Sequence, residues 1–387
     1  MTTLSGGHLA VDFASGSVPA LIPFLTDKFH LSYALAALLL LAATISSSLV
    51  QPLFGLLSDR RGALWLIPGG ALLAAAGVGA AAVSPGYALA VVLVLAGGLG
   101  VAAFHPEGAK HAAYASGRKR ASGMSYFNIG GNTGYALGAF ATGQLIVSLG
   151  FVGGLVAMTP VLLVGLALAR ELPRIRGLRD HAGHGTPDGE DDRGAMTILG
   201  AVIALRSVSW FTLLAFVPLW VVSLGHTKAY GSRLLFLMLL AGALGTLALG
   251  PVADRIGLRR TLTLTQALIA PAVLVFVWVG GAAGVLALLL VGVCTVGSFG
   301  VTMVLSQLYL PRHVGMASGL SVGLAMGIGG VAAVALGAVA DAIDLKTALT
   351  ACAVAPALGV AVCLRLPSPS RRRPAVEPAP QTVSSPT

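Results

Sequence analysis

The sequence predicts an all-α membrane protein with twelve transmembrane helices in two pseudo-symmetric halves of six. Two features of the composition predict the membrane: 56% of the 387 residues are hydrophobic and only 10% are charged, and the mean hydropathy is +0.89. A soluble domain of this length does not need so many apolar residues to fill one core. Short motifs that recur after 195 or 196 residues predict the two halves.

The apolar stretches are long enough to cross a bilayer, which takes about 20 helical residues for about 30 Å of hydrocarbon. Twelve such stretches can be counted along the chain. Glycine or short polar turns separate several of them. The predicted spans are 4–25, 33–57, 64–83, 87–114, 121–149, 151–169, 196–224, 234–252, 262–279, 285–310, 314–340 and 347–364.

The charge balance and the cysteines exclude several classes of protein. The formal net charge is +10, but the basic residues form no single patch and aromatic residues make up only 6%, which argues against nucleic-acid binding. Cys294, Cys352 and Cys363 lie in apolar runs without paired spacing and are interpreted as small buried side chains. Because the sequence has no nucleophile–base set and no metal-ligand spacing, we expect no enzyme activity, metal or cofactor.

The distribution of Lys and Arg predicts the orientation, since basic loops stay on the cytoplasmic side. With the N-terminus inside, 19 of the 24 basic residues fall in cytoplasmic segments. Arg206 alone lies within a span, and four lie outside: Lys28, Lys228, Arg233 and Lys346. We therefore expect both termini in the cytoplasm. We further expect an inner-membrane protein that is a monomer surrounded by lipid.

The chain divides into four predicted segments. Residues 1–170 form the first half, 171–195 a cytoplasmic linker, 196–366 the second half and 367–387 a disordered cytoplasmic tail. The linker contains two histidines followed by several acidic residues, a composition that we interpret as a solvated loop rather than a metal site. The linker residues concerned are His181, His184, Asp188, Glu190, Asp191 and Asp192.

The motif Gly-x-x-x-Asp-Arg-x-Gly occurs in both halves. It occupies residues 55–62 in the loop after the second span and residues 250–257 in the equivalent loop of the second half. Residues 121–125 likewise recur as 317–321. Repeated halves with a substrate site near the bilayer midplane are the architecture of secondary transporters, in which one half rocks against the other.

These loops resemble the signature of the major facilitator superfamily, and the Phe-His-Pro-Glu-Gly-Ala run at 104–109 resembles the fosmidomycin resistance protein family. The resemblance extends over nearly the whole chain. It implies the major facilitator fold, fosmidomycin as a substrate, and a gating role for both loops through four residues: Asp59, Arg60, Asp254 and Arg255. The fifth span resembles the glycine-rich antiporter motif, but Tyr135 stands where that motif usually carries proline.

The run from Phe104 to His111 places titratable side chains in a stretch assigned to the membrane. A charge there costs roughly 2.5–3.5 kcal/mol, so such a group is a functional candidate. At the repeat offset of 196, Glu107 corresponds to Met303 inside an unbroken apolar run. The fourth span should therefore continue past Pro106 to about Tyr114, which places His105 and Glu107 inside the bundle.

Three residues are candidates for carrying a coupled proton: Glu107, His105 and Asp12. Desolvation raises the pKa of a carboxyl group and a nearby cation lowers it. The group can therefore take up and release a proton as its surroundings alternate. His105 can share that proton, or be a packed residue bonded to a backbone carbonyl. His8 and Asp12, four residues apart, share one face of the first span.

Arg206, deep in the seventh span, is the leading candidate for binding substrate. Its planar, permanently charged guanidinium suits a phosphonate or carboxylate. At an offset of 195 it lies beside the position equivalent to Asp12, so the two charges are expected to face each other across the pathway. Arg206 can alternatively form a structural ion pair with Asp12 or extend to the cytoplasmic surface. Further candidates for lining the substrate site are His8, Asn128, Asn132, Tyr126 and Gln307.

The sequence thus predicts a transporter that exports a small anionic drug or metabolite in exchange for protons. A symporter or uniporter for a small organic anion would use the same charges. A membrane receptor or scaffold on a transporter fold is the alternative from another class. The presence of both gate loops and of buried charges argues against it, because a protein that does not transport needs neither.

Overall fold

A computed structural model describes residues 1–61, 63–116, 120–177 and 190–367. The described residues form fifteen α-helices and one short 3₁₀ turn at Pro311–His313. The helices are α1 (Thr2–Phe29), α2 (Tyr33–Ser48), α3 (Gln51–Arg61), α4 (Leu66–Val83), α5 (Tyr87–Ser116), α6 (Arg120–Leu149), α7 (Val152–Arg176), α8 (Arg193–Ser223), α9 (Lys228–Ile256), α10 (Leu258–Trp278), α11 (Gly281–Val296), α12 (Phe299–Tyr309), α13 (Val314–Ala342), α14 (Leu345–Ala351) and α15 (Val354–Cys363).

The helices confirm the predicted all-α membrane fold. Each predicted span corresponds to one helix, or to a pair of helices at spans two (α2 and α3), ten (α11 and α12) and twelve (α14 and α15). In the described part of the chain, eleven helical segments are long and apolar enough to cross a membrane. The fifth span, α6, is the remaining one; it is 30 residues long and rich in glycine.

The first seven helices and the last eight form two bundles with equivalent packing. α1 packs against α6 in the first half, and α8 packs against α13 in the second, so the first and fifth spans of each half are neighbours. One apolar core lies within the first half and another within the second. A third core contains buried residues of both halves, including Ala36 of α2 and Phe216 of α8. The two halves are therefore in direct apolar contact.

The last residues of the predicted linker contact the ends of helices. The carboxylate of Asp192 accepts a hydrogen bond from Ala195 N at 2.8 Å and thereby caps α8. The backbone of Asp192 donates to the carbonyl of Tyr309, and Asp191 accepts from Arg312 N at 3.0 Å. Asp191 and Asp192 thus accept hydrogen bonds at helix ends, and Asp192 is also exposed. α7 and α8 also extend into both ends of the predicted linker. His181, His184, Asp188 and the tail from residue 368 lie outside the described residues.

The bundle has two ends. We call the end near the linker the linker face, and the end with the turns after α1, α4 and α8 the opposite face. At the opposite face, Asp341 of α13 accepts hydrogen bonds from Tyr33 N at 2.6 Å and Ala34 N at 3.0 Å. A carboxylate at the first amides of a helix satisfies unpaired donors and favours the positive end of the helix dipole. Asp341 thus caps α2 from the other half of the molecule.

Two more polar contacts join the halves at the opposite face. Lys228 at the start of α9 forms an ion pair with Asp27 near the end of α1. Gln144 of α6 donates to the carbonyl oxygen of Ala229 at 3.0 Å. These hydrogen bonds and this ion pair link the two halves at the opposite face. The structure is therefore closed at the opposite face.

We expect Asp341→Asn to loosen this closure, because the variant loses the negative charge at the start of α2. Charge–dipole interactions of this kind contribute about 0.3–2 kcal/mol, so the form open at the opposite face should gain population by up to roughly thirtyfold. A single cysteine at Ala36, which is buried between the halves, should then react faster with a maleimide. Glu171→Gln, which removes an exposed ion pair on α7, is the control. Equal labelling rates in both variants would contradict the closing role of Asp341.

Candidate functional site

Helix α5 presents its two candidate residues to different neighbours. It runs from Tyr87 to Ser116 without interruption at Pro106, as the internal repeat predicted. Residues 105 and 107 are two positions apart and therefore about 200° apart around the helix. His105 contacts Asp12 of α1, whereas Glu107 contacts Ser58 of α3. The Phe-His-Pro-Glu run thus belongs to two separate polar clusters.

The first of these clusters, the histidine–aspartate cluster, consists of His8, Asp12 and His105. His8 Nε2 lies 3.2 Å from Asp12 Oδ2, and His105 Nε2 lies 3.3 Å from Asp12 Oδ1. Each histidine therefore contacts a different oxygen of the shared carboxylate. The side chain of His8 is 8% exposed, that of Asp12 18% and that of His105 24%. The three groups are mostly shielded from solvent, with His105 the most accessible.

Aromatic rings and a close helix contact hold His8 in place. Its ring stacks on Phe127 at a centroid distance of 4.1 Å and lies 6.3 Å from Phe104. On α6, a Cβ at Gly131 would meet the His8 ring and the Asp12 carboxylate, and one at Gly134 would meet the backbone of α1. Only residues without a side chain permit this approach of the two helices. The glycine-rich stretch of α6 is thus a packing surface for the cluster.

The histidine–aspartate cluster is also the one group in the described part of the chain whose donor atoms lie close enough to hold a metal ion. Its three donor atoms lie within 4.8 Å of one another. Ion-pair contacts account for the same atoms, since each carboxylate oxygen faces one histidine nitrogen. The expectation that the chain binds no metal stays a prediction.

Glu107 lies at the centre of a second cluster, with Ser58, Lys110 and His111, which we call the Glu107 cluster. Its carboxylate is 1% exposed and accepts a hydrogen bond from the Ser58 hydroxyl. Lys110 Nζ lies 4.0 Å and His111 Nδ1 3.6 Å from its oxygens, and Lys110 also donates to Ser58 Oγ at 3.0 Å. The expected burial of Glu107 is confirmed. Ser58 precedes Asp59 in the first gate loop, so this cluster joins α5 to that loop.

Arg206 is buried in the second half, at 4% exposure. Its Nη1 donates to Ser298 Oγ at 2.7 Å, and Ser298 lies at the break between α11 and α12. No carboxylate of the described residues lies within ion-pairing distance of it, and Asp12 pairs with the two histidines instead. The ion pair between Asp12 and Arg206, one alternative from the sequence, is therefore not formed in this conformation. A guanidinium has five N–H donors, so Arg206 retains donors for a ligand.

The other predicted residues are dispersed. Tyr126 and Asn128 are exposed, Asn132 and Gln307 are half-buried, and Asp254 and Arg255 are exposed near the end of α9. The backbone of Asp59 and Arg60 belongs to α3, but their side chains lie outside the described residues. The substrate and gating roles of these residues stay predictions.

Several polar partners were not predicted from sequence: Ser58, Lys110, His111, Ser298 and Asp341. The positions of Lys110 and His111, three and four residues after Glu107, were a usable signal because side chains at that spacing meet on a helix. Ser58, Ser298 and Asp341 act through contacts between distant helices. No spacing in the sequence indicates such contacts.

The sequence model described as Major Facilitator Superfamily matches residues 4–334 and 200–385. The chain is 31% identical over 382 residues to the uncharacterised MFS-type transporter YfnC of Bacillus subtilis (strain 168), covering 95% of this chain and 92% of the relative. It is 26% identical over 367 residues to the fosmidomycin resistance protein of Escherichia coli (strain K12), covering 92% and 90%.

Solved transporters have the same fold at 13% sequence identity. A bacterial homologue of the human lysosomal transporter Spinster, in an inward-facing and occupied conformation, superposes with a TM-score of 0.79 over 94% of this chain and 95% of that chain. The nucleoside transporter NupG superposes with a TM-score of 0.75 over 94% and 98%. At this identity the likeness concerns the fold alone.

We expect Gly131→Ala to destabilise the protein, because the new Cβ would lie 2.5 Å from His8 Nε2 and 2.6 Å from Asp12 Oδ2. Overpacking of this kind typically lowers the free energy of unfolding by about 1–3 kcal/mol. The midpoint of thermal unfolding in detergent should fall accordingly. Gly6→Ala is the matched control on α1, since its Cβ would meet nothing within 4 Å. If both variants unfold at the wild-type temperature, α6 does not pack against the cluster as described.

Proposed function

We propose, since the chain belongs to the Major Facilitator Superfamily, that it is a proton-coupled antiporter that exports a small anion with a phosphonate or carboxylate group. The observation that carries the proposal is the buried guanidinium of Arg206, which has no carboxylate partner among the described residues. A buried charge without a counter-ion is costly, and an anionic substrate would supply that counter-ion. The relative that confers fosmidomycin resistance supports fosmidomycin, a phosphonate, as the first substrate to test.

Arg206 binds the anion in this proposal. Its planar fork can give two parallel hydrogen bonds to a phosphonate or carboxylate, while Ser298 orients it through Nη1. The break between α11 and α12 at Ser298 resembles the interrupted helices that line binding sites in other transporters. Because the opposite face is closed, the anion would reach Arg206 from the linker face. The excess of Lys and Arg in the linker-face segments supports a cytoplasmic location for that face.

Asp12 and His105 carry the coupled proton in this proposal. Of the three residues expected to do so, these two contact each other and are partly exposed, at 18% and 24%. Glu107 is 1% exposed and bonds to Ser58, so we assign it to the linkage between α5 and the first gate loop. Gain or loss of a proton at Asp12 and His105 changes the contact between α1 and α5. Because Glu107 is also on α5, a shift of this helix would reach the first gate motif.

The gate loops control access from the linker face in this proposal. The gate motifs lie at helix ends in the structure: Asp59 and Arg60 near the end of α3, and Asp254 and Arg255 near the end of α9. When the opposite face opens, these charged side chains would meet helix ends of the other half, as Asp341 does in the present conformation. Closing one face while the other opens is the rocking motion of secondary transporters.

Proteoliposomes that contain the purified protein and a pH-sensitive dye test the coupling. Fosmidomycin moving down its gradient should drive protons in the opposite direction if the protein is an antiporter. Protons moving with the drug would identify a symporter, and drug movement without protons a uniporter. Absence of drug movement in active vesicles would exclude fosmidomycin as a substrate.

We expect Arg206→Lys to weaken fosmidomycin binding by roughly 10- to 100-fold, because lysine keeps the charge but loses the bidentate geometry. Isothermal titration of the purified protein measures the change. Arg174→Lys is the control, since Arg174 is 82% exposed and pairs with Glu171 on the surface of α7. Unchanged affinity in the Arg206 variant would remove this residue from the substrate site.

A further inference from the structure

The backbone carbonyls that contact the two histidine rings show which ring nitrogen carries a hydrogen. His8 Nδ1 lies 2.9 Å from the carbonyl oxygen of Phe127, and His105 Nδ1 lies 2.8 Å from that of Val101. A carbonyl oxygen only accepts hydrogen bonds, so each Nδ1 must carry a hydrogen. In a neutral histidine of this tautomer, Nε2 has a lone pair and no hydrogen. Both Nε2 atoms face the carboxylate of Asp12.

An ionised carboxylate also presents only lone pairs, so each of the two Nε2–oxygen contacts, at 3.2 and 3.3 Å, is favourable only when a further hydrogen lies on one of its two atoms. Two imidazolium rings around a carboxylate satisfy this requirement. One imidazolium, one neutral histidine and a protonated Asp12 satisfy it equally. Both arrangements have the same number of protons and a net charge of +1 on the three side chains.

We propose that His8 is the third member of the proton-coupling site, and that the conformation closed at the opposite face is the form in which His8, Asp12 and His105 share two protons. The sequence suggested a substrate-binding role for His8. Its contacts instead match those of His105 atom for atom: a backbone carbonyl at Nδ1 and a carboxylate oxygen at Nε2. This inference rests on the proposed proton coupling and assigns the groups that perform it.

Loss of one proton leaves one Nε2–oxygen contact without a hydrogen, so that contact must open. His8 is held by its stacking on Phe127 and is 8% exposed, whereas His105 is 24% exposed. The contact that opens is therefore the one between His105 and Asp12, which joins α5 to α1. His8 retains its proton and keeps Asp12 in place. One proton per cycle is then exchanged, and the second remains in the cluster.

Few other charged groups act on Asp12. α1 packs against α2, α4, α5, α6, α7, α8 and α9. From α5, His105 contacts the carboxylate of Asp12. From α6, the hydroxyl of Tyr135 interacts electrostatically with the same carboxylate. Within the described residues, the other five helices place no charged or titratable side chain within hydrogen-bonding distance of the cluster. The protonation of the cluster is thus governed by its burial and by its own members.

Nuclear magnetic resonance of the wild-type protein, with ¹⁵N-labelled histidine rings in lipid nanodiscs, tests the inference without any need for transport. The two rings should keep hydrogens on Nδ1 throughout and should titrate in linked steps, because each proton changes the charge felt by the other. Independent titration of the two rings at the pH of a free histidine would overturn the proposal. So would tight binding of equimolar Zn²⁺ by both rings, since the site would then be a metal site.

His8→Gln gives the second test. Glutamine can still donate to Asp12, but the positive charge of His8 is lost, so protonation of His105 becomes easier. The midpoint of the His105 titration should rise, and the pH of half-maximal antiport should rise with it. A fall in the transport rate with an unchanged midpoint would show that His8 is only structural.

If the wild-type rings titrate in linked steps but no substrate moves protons, the cluster assignment stands and the proposed function fails.

Discussion

The shared carboxylate of Asp12 is the interaction on which the proposed mechanism depends. Two histidines from different helices bond to its two oxygens, at 3.2 and 3.3 Å, and each is fixed on its other side by a backbone carbonyl. A charge deep in the membrane is costly without such partners. In the proposed mechanism, the same partners make the contact between α1 and α5 sensitive to protonation. The atoms that stabilise the buried charge of Asp12 are thus the same atoms that would couple protonation to helix contact.

The three polar sites have different relations to the two faces of the bundle. Asp341 closes the opposite face by capping α2, and the Glu107 cluster joins α5 to the first gate loop. His105, two residues from Glu107, joins the same helix to α1. In the proposed mechanism, α5 connects the proton site to the first gate motif. Arg206, buried in the second half, is the positive charge that would bind the anion.

The sequence was sufficient to predict the spans, the repeat and the burial of Glu107, because apolar length and internal symmetry determine depth in the membrane. It did not determine which way a side chain points. Asp12 was expected to face Arg206, but a one-dimensional repeat does not give helix rotation, and Asp12 pairs with His8 and His105 instead. The cap by Asp341 was not predicted because its partners are backbone amides, which every residue except proline has.

Gradient-driven efflux by Asp12→Asn and Glu107→Gln in proteoliposomes is the most direct test of the account. Both variants keep shape and hydrogen bonding but cannot exchange a proton, and substrate exchange at equal pH shows that each is folded. The account predicts that Asp12→Asn loses uphill efflux driven by a pH gradient, whereas Glu107→Gln transports more slowly but stays coupled. Coupled efflux by Asp12→Asn, with loss of coupling in Glu107→Gln, would contradict it and return the proton site to Glu107.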